Sequence, residues 1–167
     1  MLALLALPGT AYARTWLGRV ESVPSARSLV QRLVDAHVCV RIQRVPRDAN
    51  PLLTSAGMRG AWQCVVRQPP DGPHGGIEVG VWTAHSAREK TNVLRRIEST
   101  FGKLCSGETV DVKTAEGVTR YSPAANVSNM RYVEGRRWLA FTGPNAPLRR
   151  VASVLGGRAV VRHCPTD

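Results

Sequence analysis

The side chains best suited to chemistry in this chain are cationic. Arg136 and Arg137 precede an apolar run that opens on Trp138, and Arg149 and Arg150 sit early in a later amphipathic segment. Residues 118–167 hold eight Arg and only two acids, Glu134 and Asp167. A guanidinium is planar, and its fork of donors matches carboxylate and phosphate oxygens. With Tyr132, Trp138 and Phe141 close in sequence, these arginines fit a face for phosphates, sugars or acidic peptide. Arginine near a helix start opposes the helix dipole, so Arg149 and Arg150 ask for another reason to be there. Arg136, Arg137, Trp138, Arg149 and Arg150 are the candidate binding residues. The competing reading is a solvated surface in an Arg-rich chain, since a GC-rich genome also gives 20 Arg against 3 Lys.

Nothing in the chain names a catalytic residue. There is no G-x-S-x-G, H-E-x-x-H, P-loop or Rossmann glycine pattern. Gly72-Pro-His-Gly-Gly resembles a phosphate loop in glycine content alone and reads as a hairpin turn. The histidines are His37, His74, His85 and His163. A nuclease could use two of them as general base and acid, and His74 in a turn and His85 at a helix start are the accessible ones. Asp48, Asp71, Glu108, Asp111 and Glu116 all sit beside turns, which makes paired carboxylates poor candidates. The one close His/Cys pair is His163-Cys164, and adjacent strand residues point to opposite faces, so no metal site or cofactor is expected.

Cys39, Cys64, Cys105 and Cys164 make an even number with no C-x-x-C pair, the pattern of two disulfides. Cys39 lies on an expected strand beside the one carrying Cys64, and sequential strands are often neighbours. The expected bridges are therefore Cys39–Cys64 and Cys105–Cys164, the second tying down the C-terminus.

Met1 to Leu7 is uncharged and apolar, Pro8-Gly9-Thr10 breaks the run, and Ala11-Tyr12-Ala13 has small residues where signal peptidase reads them. Residues 1–13 thus read as a signal peptide, with Arg14 the first mature residue. The stretch is too short to span a bilayer, so no transmembrane segment is expected in the mature chain. No Lys or Arg precedes Arg14, as when the true start lies upstream. Two other readings remain open: an organellar transit peptide, since residues 1–20 lack acids and carry Arg14 and Arg19, and an apolar element packed on the domain. Removing the segment leaves about 154 residues, one ordinary domain over 14–167 with sub-units 14–113 and 118–167. Apolar residues at 43% argue against disorder, and aromatics at 5% mean a core of Val, Leu, Ile and Ala. The net charge of +11 calls for an anionic partner: an acidic protein face, cell-wall glycan, nucleic acid or lipid headgroups.

Positioning elements follow from periodicity. Residues 15–20 read as a strand. A helix starts near Pro24-Ser25, with Ala26, Leu29, Val30, Leu33 and Val34 on one face. Val38, Val40 and Ile42 alternate as a half-buried strand, 46–60 is a loop, and Trp62, Cys64 and Val66 share a strand face. Ile77, Val79 and Val81 alternate again. Ser86-Ala-Arg-Glu89 is a capping box that opens a helix with Ala87, Leu94, Ile97, Phe101 and Leu104 inward. Arg88, Asn92, Arg95, Arg96, Ser99 and Lys103 are left for solvent. Strands follow at 110–112, 118–121, 130–133 and 138–142. Asn145 and Pro147 start a third helix that stops at Gly156, and 158–163 is a closing strand. The fold class is α+β: a mixed or antiparallel sheet with about three helices, built from ferredoxin-like strand–helix–strand units.

The element order over 15–112 resembles that of ferredoxin-like or SPOR-like modules, and Gly80-Val81-Trp82 before Ser86 resembles the SPOR strand-to-helix passage. That resemblance implies binding to peptidoglycan glycan strands. Trp138-Leu-Ala-Phe-Thr with Leu148-Arg-Arg-Val-Ala-Ser-Val-Leu is similar to small periplasmic ring-building domains of secretion machines. The leading expectation is an exported, periplasmic or secreted, basic binding or assembly protein of the envelope or a secretion system. The alternatives are a small secreted hydrolase of nucleic acid or cell-wall glycan, and an organellar nucleic-acid-associated protein.

Overall fold

A computed structural model describes residues 24–45, 58–66, 77–114, 117–122, 129–144 and 146–165. The signal segment 1–13, the 15–20 strand, the Pro69–Gly76 turn with His74, and Asn145 lie outside them. In chain order the elements are α1 (Ala26–Asp35), β1 (Arg41–Arg44), β2 (Arg59–Val66), β3 (Ile77–Thr83), α2 (Ala87–Cys105), β4 (Val110–Thr114) and β5 (Gly117–Tyr121). β6 (Asn129–Glu134), β7 (Trp138–Thr142), α3 (Leu148–Leu155) and β8 (Arg158–His163) follow. The fold is α+β, with a six-stranded sheet ordered β1-β2-β3-β7-β6-β8 and a separate β4-β5 ribbon.

Every ladder is antiparallel. β3 and β6 therefore run parallel with β7 between them, and β7 and β8 run parallel with β6 between them. The chain makes two interleaved split crossovers, β3–α2–β6 and β7–α3–β8. Both step the same way across the sheet, but from antiparallel strands. Two crossovers of the same hand must then place their helices on opposite faces, and they do. α1 and α3 cover one face over Val79, Val81, Val133, Trp138 and Ala140. α2 covers the other over Trp82, Tyr132, Leu139 and Phe141. The alternation of these residues along β3, β6 and β7 is the period-2 signature of strands buried on both sides.

Three expectations are corrected. The alternation at 38–42 fails: Val38 and Cys39 are both buried, Val40 is 59% exposed, and the strand starts only at Arg41. The cause is the end of α1. Val38 N–H bonds the Leu33 carbonyl and His37 N–H bonds that of Val34, a Schellman turn with His37 at φ 53°. Second, the strand–helix–strand order expected over 15–112 does not close at its last strand, because β4 leaves the sheet to pair with β5. Third, α2 buries Lys90, Val93, Leu94 and Ile97, while Ala87 is exposed.

Both expected bridges are present, Cys39–Cys64 with Cα atoms 5.6 Å apart and Cys105–Cys164 with 5.3 Å. The first joins the exit of α1 to β2 in the α1/α3 core. The second ties the end of α2 to the end of β8. No helix among the described residues is long and apolar enough to cross a membrane.

Candidate binding surface

The five candidate residues do not form one surface. Trp138 is 5% exposed and belongs to the core under α1 and α3. Its indole lies over Gly135 and Gly157, where any Cβ would overlap the ring. Tyr132 is fully buried, and Phe141 packs edge-on to Trp82 with centroids 5.6 Å apart. The aromatics expected to line a stacking face are thus interior, because β6 and β7 are central strands covered on both sides. Arg136 and Arg137 sit in the tight β6–β7 turn, where the Arg137 carbonyl accepts from Ala84 N–H at 2.9 Å. Arg149 and Arg150 begin α3, which runs back along the sheet for about 12 Å. The two arginine pairs therefore occupy opposite ends of the domain.

Arg150 has a structural task. It donates to the carbonyl of Ala36, the C-cap of α1, at 2.9 Å. A cation there satisfies an orphan carbonyl and complements the negative end of α1, which answers why arginine stands near the start of α3. Arg131 similarly gathers the carbonyls of Gly143, Pro144 and Ala146 ahead of α3. Arg120 is held by Asp111.

A polar seam joins α2 to the outer strands of the sheet, and sequence periodicity did not disclose it. Lys90, 6% exposed, meets Glu134 Oε1 at 2.5 Å, and Arg158 meets Glu134 Oε2 at 2.6 Å. One layer along, Tyr132 O–H donates to Glu98 Oε1 at 2.8 Å, and Arg162 Nε donates to the same oxygen at 2.9 Å. The ladder explains the two layers: Glu134 opposes Arg158, and on the same face Tyr132 lies two residues from Glu134 and Arg162 four from Arg158. Lys90 and Glu98, eight residues apart, share the inner side of α2. The Lys90 ammonium, and then Arg158, hold the Glu134 carboxyl below its ordinary range against the opposing effect of burial. Burial, then the bond to Glu98, push the Tyr132 phenol up to about 12. Both shifts lead away from acid–base work near neutral pH, so the seam reads as an anchor for α2.

That anchoring uses the acids. Glu98 and Glu134 are taken by the seam, Glu89 accepts from His85 N–H at 2.8 Å, and Asp111 holds Arg120. Asp35 accepts from Gln31 and Glu108 from Ser106. What remains on the outside of α2 is a row of exposed side chains: Arg88, Asn92, Arg95, Arg96, Ser99 and Lys103. At about 100° per residue these six fall within an arc of roughly 100° and extend about 22 Å along the axis. None of the four cations pairs with a carboxylate among the described residues.

No family model matches this chain, and no curated protein or solved structure matches it.

The described histidines are dispersed: His85 precedes α2 at one end of the sheet, His37 follows α1 and His163 ends β8 at the other, and all are exposed. No group of three or more His, Cys, Asp or Glu among the described residues is arranged to hold a metal. The outer row of α2 was legible as a solvent face. Its importance lay in a negative signal, that both acids of α2 have duties elsewhere.

Proposed function

We propose that this is an exported, disulfide-stapled α+β domain that works by binding an anionic partner in the envelope or a secretion assembly, without catalysis. The observation that carries the reading is the separation of charge. The described carboxylates serve the fold, while exposed Arg88, Arg95 and Arg96 on α2, Arg136 on the β6–β7 turn and Arg149 on α3 pair with no carboxylate among the described residues. A surplus of that kind raises the local concentration of an anionic ligand and speeds its association. Two bridges that use all four cysteines support an oxidising compartment, periplasmic or extracellular. The perturbed groups in the seam support binding over hydrolysis, because Tyr132 is held protonated and Glu134 ionised.

Fractionation of native cells with N-terminal sequencing, followed by assays on RNA, DNA and peptidoglycan, tests the proposal. The expected result is a mature start at Arg14 outside the cytoplasm, salt-sensitive retention on an anionic matrix, and no turnover. Hydrolysis of any of the three substrates, or a reduced cytoplasmic protein, contradicts it.

A further inference from the structure

We infer that the outer row of α2 is a docking track for a linear phosphodiester polymer that is gripped through its phosphates alone, such as a polyol-phosphate chain without bases. The inference rests on the binding reading above and names its site and ligand class.

The row contains no acid. A solvated helix face ordinarily sets acids three or four residues from its bases, where each pair adds a few tenths of a kcal/mol. Position 92 lies four from Arg88 and Arg96, and position 99 lies four from Arg95 and Lys103. An acid at either would neutralise two cations at once. Asn92 and Ser99 stand there instead, neutral groups that limit self-repulsion but leave the charge open to a ligand. Arg158 and Arg162, beside α2 on β8, are compensated by Glu134 and Glu98, and Lys90 by Glu134, so the uncompensated cations of α2 all lie in the row.

Shape and composition then select the ligand. Protein interfaces draw most of their affinity from buried aromatic and apolar anchors. The row has none, since Val93, Leu94 and Ile97 all point into the core. Insertion into a bilayer needs an exposed apolar face on the same helix, and that of α2 is packed into the core. Single-stranded nucleic acid is held by aromatic platforms as well as charge, and no aromatic side chain belongs to the row. A narrow track of three guanidinium forks and one ammonium, interleaved with an amide and a hydroxyl, suits successive phosphates along an extended chain.

The seam gives the track its rigidity. Lys90–Glu134 and Glu98–Tyr132 fix α2 to the sheet at two levels, and Cys105–Cys164 fixes its far end. A ligand along the row therefore meets a helix already fixed in place, so that only the side chains have to order.

The test measures binding of poly(glycerol phosphate) to the full chain between 50 and 200 mM salt, beside oligo-dT of equal phosphate number and phosphatidylglycerol-containing vesicles. Four contacts at a slope of roughly 0.7 each predict a fall in affinity of about fifty-fold across that range. R88Q/R95Q/R96Q/K103Q should abolish most of this dependence, while R88K/R95K/R96K retains it; both variants change only exposed positions. The base-free polymer should bind no more than threefold weaker than oligo-dT. A larger preference for oligo-dT, capture by vesicles but not polymer, or an unchanged quadruple variant overturns the assignment. If polymer binding instead disappears in R136Q/R137Q/R149Q, the binding reading stands and the α2 site falls. If the wild-type chain binds no polyanion at 50 mM salt, both fall.

Discussion

The two faces of the six-stranded sheet are closed by different means. Under α1 and α3 the contact is hydrocarbon: Leu29, Val30, Leu33, Val79, Val81, Val133 and Val151 are fully buried, with a disulfide among them. Under α2 a smaller apolar cluster is supplemented by two layers of charged and hydrogen-bonded groups. Two short helices share the first face, and each presents one apolar side to the sheet. A single long helix crosses the second, reaching from the central strands to the edge, where apolar cover gives out and Lys90, Glu98, Arg158 and Arg162 take over. One face is specialised for stability. The other holds a helix firmly while leaving its outer side uncommitted.

Substitutions should expose that difference. On the hydrocarbon face, Trp138→Ala removes an indole packed on Gly135 and Gly157 and should cost about 3–5 kcal/mol in urea denaturation. On the polar face the sign depends on which partner goes. Glu134→Gln leaves the Lys90 ammonium buried without a carboxylate and should cost about 3 kcal/mol, whereas Lys90→Met leaves Glu134 with Arg158 and should change stability by less than about 1 kcal/mol. A Lys90→Met loss as large as that of Glu134→Gln would mean the pair stabilises α2 by mutual attraction alone.

The pH profile bears on the α2 face, where Tyr132 and Glu134 carry shifted pKa values. Tyr132 has a folded pKa of about 12, above its unfolded value near 10. Its contribution is fully present below pH 10 and is lost as pH rises toward 12. Tyr132→Phe should flatten stability across that window. Glu134 acts in the opposite direction: its folded pKa is depressed, so its contribution is present above the unfolded carboxylate value and lost as the solution is acidified. Trp138→Ala should leave both limbs unchanged, which paired melts at pH 3–12 would show.

A further small effect concerns the two Schellman turns. Gly107 closes α2 at φ 82°, and His37 closes α1 at φ 53°. Glycine is free in that region and histidine is not, so His37→Gly should stabilise the domain by about 1 kcal/mol in thermal melts.

Much of this arrangement was legible in the residues. The stripe Leu148, Val151, Ala152, Leu155 with Gly156 at the stop, and the capping signal Ser86–Glu89, depend on local geometry, and local geometry is what a sequence displays. The cysteine pairing followed from even count and neighbouring strands. The arginines were harder. Arg131, Arg150 and Arg162 find partners 12 to 114 positions away, so nothing local distinguished them from Arg149 or Arg95. Trp138 misled for a similar reason: an aromatic beside two arginines looks like a binding face until β6 and β7 prove to be central strands. Lys90 interrupted the expected stripe of α2, and only the register that brings Glu134 beneath it explains its burial.

In our proposal the seam commits the inner side of α2 and leaves its outer side to bind. Amide and guanidinium NMR shifts during titration with poly(glycerol phosphate) decide the matter. Perturbations are expected along Arg88, Asn92, Arg95, Arg96, Ser99 and Lys103, fading with added salt, with α1 and α3 unmoved. Perturbations centred on Arg136 and Arg137 or on Arg149 and Arg150, with the α2 row silent, would contradict it.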